Sequence, residues 1–205
     1  ILITGAGGFI GSHLTQNLVK KGHKVTALFR YSSTNSRGWL DIDKDSTDGH
    51  FESFFCDLGD KEFLDQIIKK KDVVLHLGAL IGIPYSYKAR ESYIKSNIIG
   101  THNILESCLK CEIDHLIHTS TSEVYGTPKK VPINENHKLQ PQSPYAASKI
   151  GADQLAISYY KSFNLPVTII RPFNNFGPRQ SNRAVIPTII NQALDKNFHE
   201  IKIGS

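Results

Sequence analysis

The chain has 205 residues, 40% hydrophobic and 21% charged, enough to bury a substantial core in one large domain or in one domain plus part of another. Its net charge of +5 is spread along the sequence without a basic block or an interleaved aromatic platform, which argues against nucleic acid as a partner and leaves a mild attraction for phosphates. No apolar run reaches the length of a membrane span and no signal peptide stands at the visible start. Cys56, Cys108 and Cys111 are too few and too oddly placed for a disulfide framework, so a cytoplasmic protein with reduced thiols and no membrane contact is expected.

The first element is a strand over residues 1–4 that runs straight into Gly5-Ala6-Gly7-Gly8-Phe9-Ile10-Gly11. Gly5 permits a tight turn off the strand, Gly8 lets the backbone approach a pyrophosphate, and Gly11 lets the following helix pack closely on the sheet. Apolar residues at Phe9, Ile10, Leu14, Leu18 and Val19 follow at helical spacing, so a helix over 9–21 presents its N-terminus, with free N–H groups and a positive dipole end, to the turn. Such a unit is a dinucleotide cradle.

Further strands are expected at 24–30, 51–56, 72–77, 114–120, 166–171 and 200–203, and helices at 60–70, 89–110, 143–164 and 183–196. This alternation predicts an α/β fold, a Rossmann-like doubly wound parallel sheet with helices on both faces. Residues 1–171 are expected to form the dinucleotide-binding domain, and 172–205 the start of a substrate-binding region with a strand returning to the sheet near 200–203. Because the chain starts inside a strand without Met and stops just past a strand-like run, most of that region is expected to lie beyond residue 205. The irregular stretches 31–50, 126–142 and 172–183 all follow strands, which places them at the carboxyl edge of the sheet, where ligands bind in this architecture. Cys108 and Cys111 have C-x-x-C spacing near His115 and His118, but without a second pair no metal site is expected.

The strand at 114–120 ends in Thr119-Ser120-Thr121-Ser122-Glu123-Val124-Tyr125-Gly126, a cluster of hydroxyls with a carboxylate around its tip. Tyr145 and Lys149 then stand four apart on one face of the next helix. A neighbouring ammonium stabilises a phenolate, so the Tyr145 pKa is expected to fall toward the range where it can take a proton from an alcohol.

The glycines at 5, 8 and 11, the Thr121 strand tip and the Tyr145-x-x-x-Lys149 pair resemble the extended short-chain dehydrogenase/reductase family of nucleotide-sugar epimerases and dehydratases. Cys56-Asp57-Leu58, the helix Asn97-Ile98-Ile99-Gly100-Thr101-His102-Asn103-Ile104-Leu105, and Arg171-Pro172-Phe173-Asn174-Asn175-Phe176-Gly177-Pro178-Arg179 extend the likeness over the whole chain. The resemblance implies an NAD(P)-dependent enzyme acting on a nucleotide sugar and forming a homodimer through helices 89–110 and 143–164. It makes Tyr145 the catalytic base, Lys149 the holder of the nicotinamide ribose, and Thr121 the partner of the sugar hydroxyl being oxidised. Asp57 is assigned to the adenine. Phe9, Ile10, Leu58 and Leu77 join the glycines around the cofactor, while Ser122, Asn174 and Arg183 fall to the substrate and Asn97 to a structural role.

In this family the reaction opens with hydride transfer from carbon 4 of the sugar, leaving a 4-ketone that acidifies the proton on carbon 5. Glu123 is placed to remove that proton, which leads to loss of the 6-hydroxyl as water and hydride return to carbon 6, a 4,6-dehydration. The dehydratases typically carry Asp where this chain has Ser122, and the Thr-Ser-Glu run is also similar to UDP-glucuronate decarboxylases. Runs 77–87 and 143–153 look like bacterial dehydratases of nucleotide-linked N-acetylglucosamine, including those of the legionaminic-acid type. A 4,6-dehydratase is therefore expected. Decarboxylase and 4-epimerase are the alternatives on the same scaffold, and a non-catalytic dinucleotide sensor is the alternative of another class. Members using NAD carry an acidic residue at the end of the second strand; here Arg30 stands there, followed by Ser33 and Arg37 in the same loop. Arg30 can grip a 2′-phosphate, so NADP is preferred over NAD.

Overall fold

A computed structural model describes residues 1–42, 51–195 and 200–202. The chain divides into two compact units, Ile1–Phe173 and Asn174–Ser205. The first is built on a six-stranded, wholly parallel sheet in the order β3-β2-β1-β4-β5-β6. Its strands are β1 (Leu2–Thr4), β2 (Val25–Phe29), β3 (Phe51–Phe55), β4 (Val73–His76), β5 (His115–Thr119) and β6 (Val167–Ile170). The order reverses between β1 and β4, and the crevice at such a switch point is where ligands bind in this architecture.

Strand residues alternate between two buried faces. Leu2, Leu28, Val74 and Leu116 point into a core closed by α2 (Lys61–Ile68), α5 (Gly100–Lys110) and α6 (Pro144–Phe163). Ile3, Ala27, Phe29 and Leu75 point into the opposite core, which α1 (Phe9–Lys20) closes with Leu14, Leu18 and Val19. Burial on both faces is why these strands read as continuous apolar runs. In α2 the buried residues Leu64, Ile67 and Ile68 fall at helical spacing, each worth about 1.5–3 kcal/mol of transfer free energy.

The expected helix over 89–110 is interrupted. It comprises α4 (Arg90–Tyr93), a π-helical segment Ile94–Ile99 and α5, and it is preceded by a short helix α3 (Ile83–Ser86) that periodicity missed. In the loop after β2, a 3-10 turn Gly38–Asp41 packs back on the glycine turn, with the Trp39 N–H donating to the Gly7 carbonyl at 3.1 Å; residues 43–50 lie outside the described set.

In the second unit α7 (Val185–Leu194) is the described helix. The strand expected near 200–203 is not formed over residues 200–202, residue 203 lying outside the described set. The Lys202 backbone finds its partners elsewhere: its N–H donates to Gln192 Oε1 at 2.6 Å, and its carbonyl accepts from Gln192 Nε2 at 2.9 Å. Among the described residues no helix is long and apolar enough to cross a membrane.

Candidate active site

The glycine turn is shaped by backbone contacts that no side chain would permit. Gly5 has φ +69°, and a Cβ there would lie 2.9 Å from the Gly78 nitrogen; a Cβ on Gly11 would run into the Gly5 carbonyl oxygen. The turn is thereby pressed between β4 and its own helix. Gly8, at the N-cap of α1, brings no capping side chain, and no acidic residue stands in the first turn, so the leading N–H groups and dipole suit an anion. Phe9 is half-buried and Ile10 exposed at this end.

Thr4 staples the switch point. Its hydroxyl accepts from the N–H groups of Leu77 (3.1 Å) and Gly78 (2.9 Å) and so donates its own proton to His76 Nδ1 at 2.7 Å. His76 must then carry its hydrogen on Nε2, which faces Thr101 Oγ1 at 3.1 Å.

A cavity of about 610 Å³ opens at the carboxyl ends of β1 to β4. It brings together Gly5, Arg30, Asp57 and Leu58 of the expected cofactor residues, and adds Gly78, Leu80 and Lys95. Arg30 and Asp57 are exposed, and Asp57 Oδ1 accepts from the Gly59 N–H at 2.8 Å. Gly8, Phe9, Ile10, Gly11, Ser33, Leu77, Tyr145 and Lys149 of the expected set do not line this cavity; Ser33 is exposed. Arg37 stacks 5.8 Å from the Phe51 ring centroid. Cys56 lines the cavity as an unreactive thiol, pushed by burial up to about 12. A glycine turn at a bare helix N-terminus, with Gly5 lining a cavity that also includes the Arg30 cation, fits a dinucleotide.

At the tip of β5 the local sequence explains the geometry. Thr121 is extended (φ −159°) and accepts from the Glu123 N–H at 3.2 Å, starting a 3-10 turn Ser122–Tyr125 that ends at Gly126 with φ +61°. Ser122 is half-buried, its N–H donating to the Pro172 carbonyl at 3.1 Å, while Glu123 is exposed. Across from this tip α6 begins. Ser143 caps it by accepting from the Ala146 N–H at 3.0 Å and Pro144 is its first residue, which puts Tyr145 in the first turn and Lys149 in the second.

Thr121, Tyr145 and Lys149 are all buried. Tyr145 does not show the expected fall in pKa. Burial pushes its phenol above the ordinary value; a hydrogen bond with Thr121 pulls it back, and the Glu123 charge pushes it up again. The Lys149 ammonium donates to the Thr119 carbonyl at 2.8 Å, and burial pushes it down to about 8 against the opposing charge of Asp153. The structure thus brings Thr121 and Glu123 to bear on Tyr145, with Lys149 one turn further along α6. Asn174 and Arg183, both exposed, belong to the second unit, where the Arg183 N–H donates to Ser181 Oγ at 3.3 Å.

Four residues carry more of this site than their sequence pattern indicated. Asn97, in the π-helical segment, accepts from the Leu80 N–H (2.8 Å) and donates to the Leu80 carbonyl (2.9 Å) and Ser148 Oγ (2.9 Å), tying the loop after β4 to α6. Tyr93 packs edge-on to Tyr145, with ring centroids 6.1 Å apart, and donates toward the carbonyls of Ile81 and Gly82. Buried Asp153 and half-buried Arg171 form an ion pair. The pairing of such residues is set by helices and strands far apart in the chain; Asn97, Arg171 and Asp153 carried a signal only through the motifs they stand in, and Tyr93 none.

Fold and site together define a short-chain dehydrogenase/reductase of the extended type. The chain matches the GDP-mannose 4,6 dehydratase family over residues 2–205 and belongs to it. It is 38% identical to a dTDP-D-glucose 4,6-dehydratase of Dictyostelium discoideum, over 95% of this chain and 48% of that protein. Among solved structures it is similar to a UDP-N-acetylglucosamine 4-epimerase from Methanobrevibacter ruminantium M1 in complex with UDP-N-acetylmuramic acid (TM-score 0.85, 34% identity, 94% of this chain and 62% of that one). It is also similar to a double mutant of the dTDP-glucose 4,6-dehydratase DesIV from Streptomyces venezuelae with NAD bound (TM-score 0.86, 28% identity, 94% and 61%). The chain therefore spans about half to three-fifths of the length of these relatives.

Proposed function

We propose that the protein is a nucleotide-sugar 4,6-dehydratase acting on a UDP-N-acetylglucosamine-like sugar. The observation that carries this reading is the Thr121-Ser122-Glu123 turn, which sets an exposed carboxylate close enough to Tyr145 for its charge to act on the phenol. A carboxylate there has work in an elimination and none in a plain epimerisation.

The dinucleotide supplies the hydride acceptor at the start of the cycle and the hydride donor at its end. Tyr145 takes the proton of the 4-hydroxyl as carbon 4 is oxidised, with Thr121 orienting that hydroxyl and the Lys149 ammonium offsetting the phenolate charge. Glu123 then takes the carbon 5 proton. Since Ser122 is far too weak an acid to protonate the leaving hydroxyl, the carboxylic acid just formed on Glu123 delivers that same proton to the oxygen on carbon 6, and water departs. Ser122, Asn174 and Arg183 are assigned to substrate contacts.

Arg30, exposed at the cavity rim, supports NADP as the preferred form, since its guanidinium can pair with a 2′-phosphate. Exposed Tyr160 and Phe163 on α6, and Ile94 ahead of α5, support a homodimer through these helices; the free cysteines support a cytoplasmic location.

The test is to incubate the full-length protein with UDP-N-acetylglucosamine and follow the product mass. Loss of one water supports dehydration, whereas unchanged mass with inversion at carbon 4 would sink it in favour of epimerisation. Loss of carbon dioxide from UDP-glucuronate would point instead to decarboxylation. Glu123→Gln should slow water loss by roughly a hundredfold or more while leaving reduction of the bound dinucleotide by substrate measurable in absorbance.

A further inference from the structure

Behind Tyr145 and Lys149 lies a buried charge cluster for which the chemistry above has no use. Asp153 follows Lys149 by one turn of α6 and is 0% exposed. Arg171, leaving the end of β6, sets both Nε and Nη2 at 3.0 Å from Asp153 Oδ2. Its Nη1 donates to the Tyr125 hydroxyl at 3.0 Å, and its guanidinium lies 5.3 Å from that ring's centroid. The other carboxylate oxygen, Oδ1, stands 3.3 Å from His118 Nε2; burial pushes the Asp153 carboxyl up, but His118, Ser120 and the Arg171 charge together hold it below its ordinary value. His118 adds no cation, because burial holds its imidazole below the ordinary range, as it does that of His76, which stacks on it at 5.5 Å.

The groups around Lys149 are then Tyr145 and Asp153 on its own helix, neutral His76 on β4, and neutral His118 with the Thr119 carbonyl on β5. Arg171 from β6 acts on it through their shared carboxylate. One fully buried and one half-buried cation thus share a single buried anion: Arg171 pairs directly with Oδ2, and Lys149 stands one helical turn from the same carboxylate with its Nζ on the Thr119 carbonyl.

We propose that Asp153 is a positioning residue for Lys149: its carboxylate is the counter-charge that keeps the buried ammonium protonated, and Arg171 sets how much of that charge Lys149 receives. The catalytic value of this arrangement rests on the function proposed above; the charge relation does not.

The test uses the full-length protein with isotope-labelled lysine, the Lys149 amine signal identified by its loss in Lys149→Arg and titrated by nuclear magnetic resonance. Wild-type Lys149 should lose its proton near about 8. Asp153→Asn should lower that midpoint by about one pH unit or more, and Asp153→Glu should restore it. Arg171→Gln should move it the other way, upward, an outcome that a merely structural role for the pair does not produce. An unchanged midpoint in folded Asp153→Asn, or a fall in Arg171→Gln, overturns the proposal. The wild-type Asp153 carboxyl carbon needs no variant: it should report an ionised group from about pH 6 to about pH 9, and a protonated one overturns the proposal even if the variants fail to fold. Where UDP-N-acetylglucosamine is turned over, the alkaline limb of kcat/KM should move down with Lys149 in Asp153→Asn. Absence of turnover in every form would count against the functional reading alone.

Discussion

The first βα turn and the tip of β5 are both built at the carboxyl edge of one sheet, but from opposite materials. The turn is made of backbone, with Gly5 and Gly11 packed so closely against Gly78 and against each other that a methyl group does not fit. The tip is made of side chains: Thr121 from the end of β5, Glu123 from a 3-10 turn and Tyr145 and Lys149 from α6, with Arg171 and Asp153 locking β6 to that helix. A backbone site needs only contiguous residues and tolerates no added volume. A side-chain site tolerates volume but depends on charges and hydrogen bonds brought from distant segments, and each of these can be removed singly.

The contrast breaks most sharply at Tyr145. Tyr145→Phe keeps the ring that packs on Tyr93 and should lower turnover of UDP-N-acetylglucosamine by roughly 10²–10⁴, with little change in melting temperature. Gly11→Val should do the reverse. Its branched side chain meets the Gly5 carbonyl, so unfolding free energy should drop by about 1–3 kcal/mol and dinucleotide affinity, followed by calorimetry, should fall more than it does in Tyr145→Phe. A Gly11→Val protein that bound the dinucleotide normally would remove the case for a backbone-built turn.

A third measurement concerns pH. Burial holds Lys149 at about 8 in the folded chain against an ordinary value of 10.5, so its charge destabilises the fold below that range and the penalty is relieved as pH rises from about 8 to 10.5. Relative to Lys149→Met, the wild-type protein should therefore gain on the order of 3 kcal/mol between neutral pH and the alkaline end of that window, read from denaturant unfolding at each pH. The smallest effect is expected at the exposed rim: Arg30→Ala should weaken NADP by roughly tenfold and NAD hardly at all, since only the former offers a 2′-phosphate.

The succession of strands and helices was legible because the inner strands β1, β2 and β4 are buried on both faces and helices such as α2 on one, and both habits leave periodic marks in the chain. Where local marks were silent, tertiary partners decided. The stretch 89–110 has continuous helical character, yet Asn97 is held by Leu80 and Ser148 in a segment that winds as a π-helix. Ile201-Lys202-Ile203 has the look of a strand, but the Lys202 backbone is satisfied by a Gln192 side chain. In the site, Tyr145 and Lys149 were visible from their spacing, whereas the direction of the Tyr145 shift was not. Spacing speaks of a neighbouring ammonium, while the dominant influence is burial, which no pair of positions reveals.

From its residues alone the chain declared a parallel α/β sheet, a glycine turn suited to a dinucleotide, and the candidate reactive groups at Thr121, Glu123, Tyr145 and Lys149. These were readable because they rest on short-range rules: backbone freedom at glycine, helical spacing, and the chemistry of single side chains. Tertiary structure decided which of those groups are dry, which carbonyl takes the Lys149 ammonium, and that Asp153, Arg171 and His118 meet behind it. Desolvation and charge pairing depend on what surrounds an atom in space, and those surroundings are assembled from β5, α6 and β6 only when the sheet has closed.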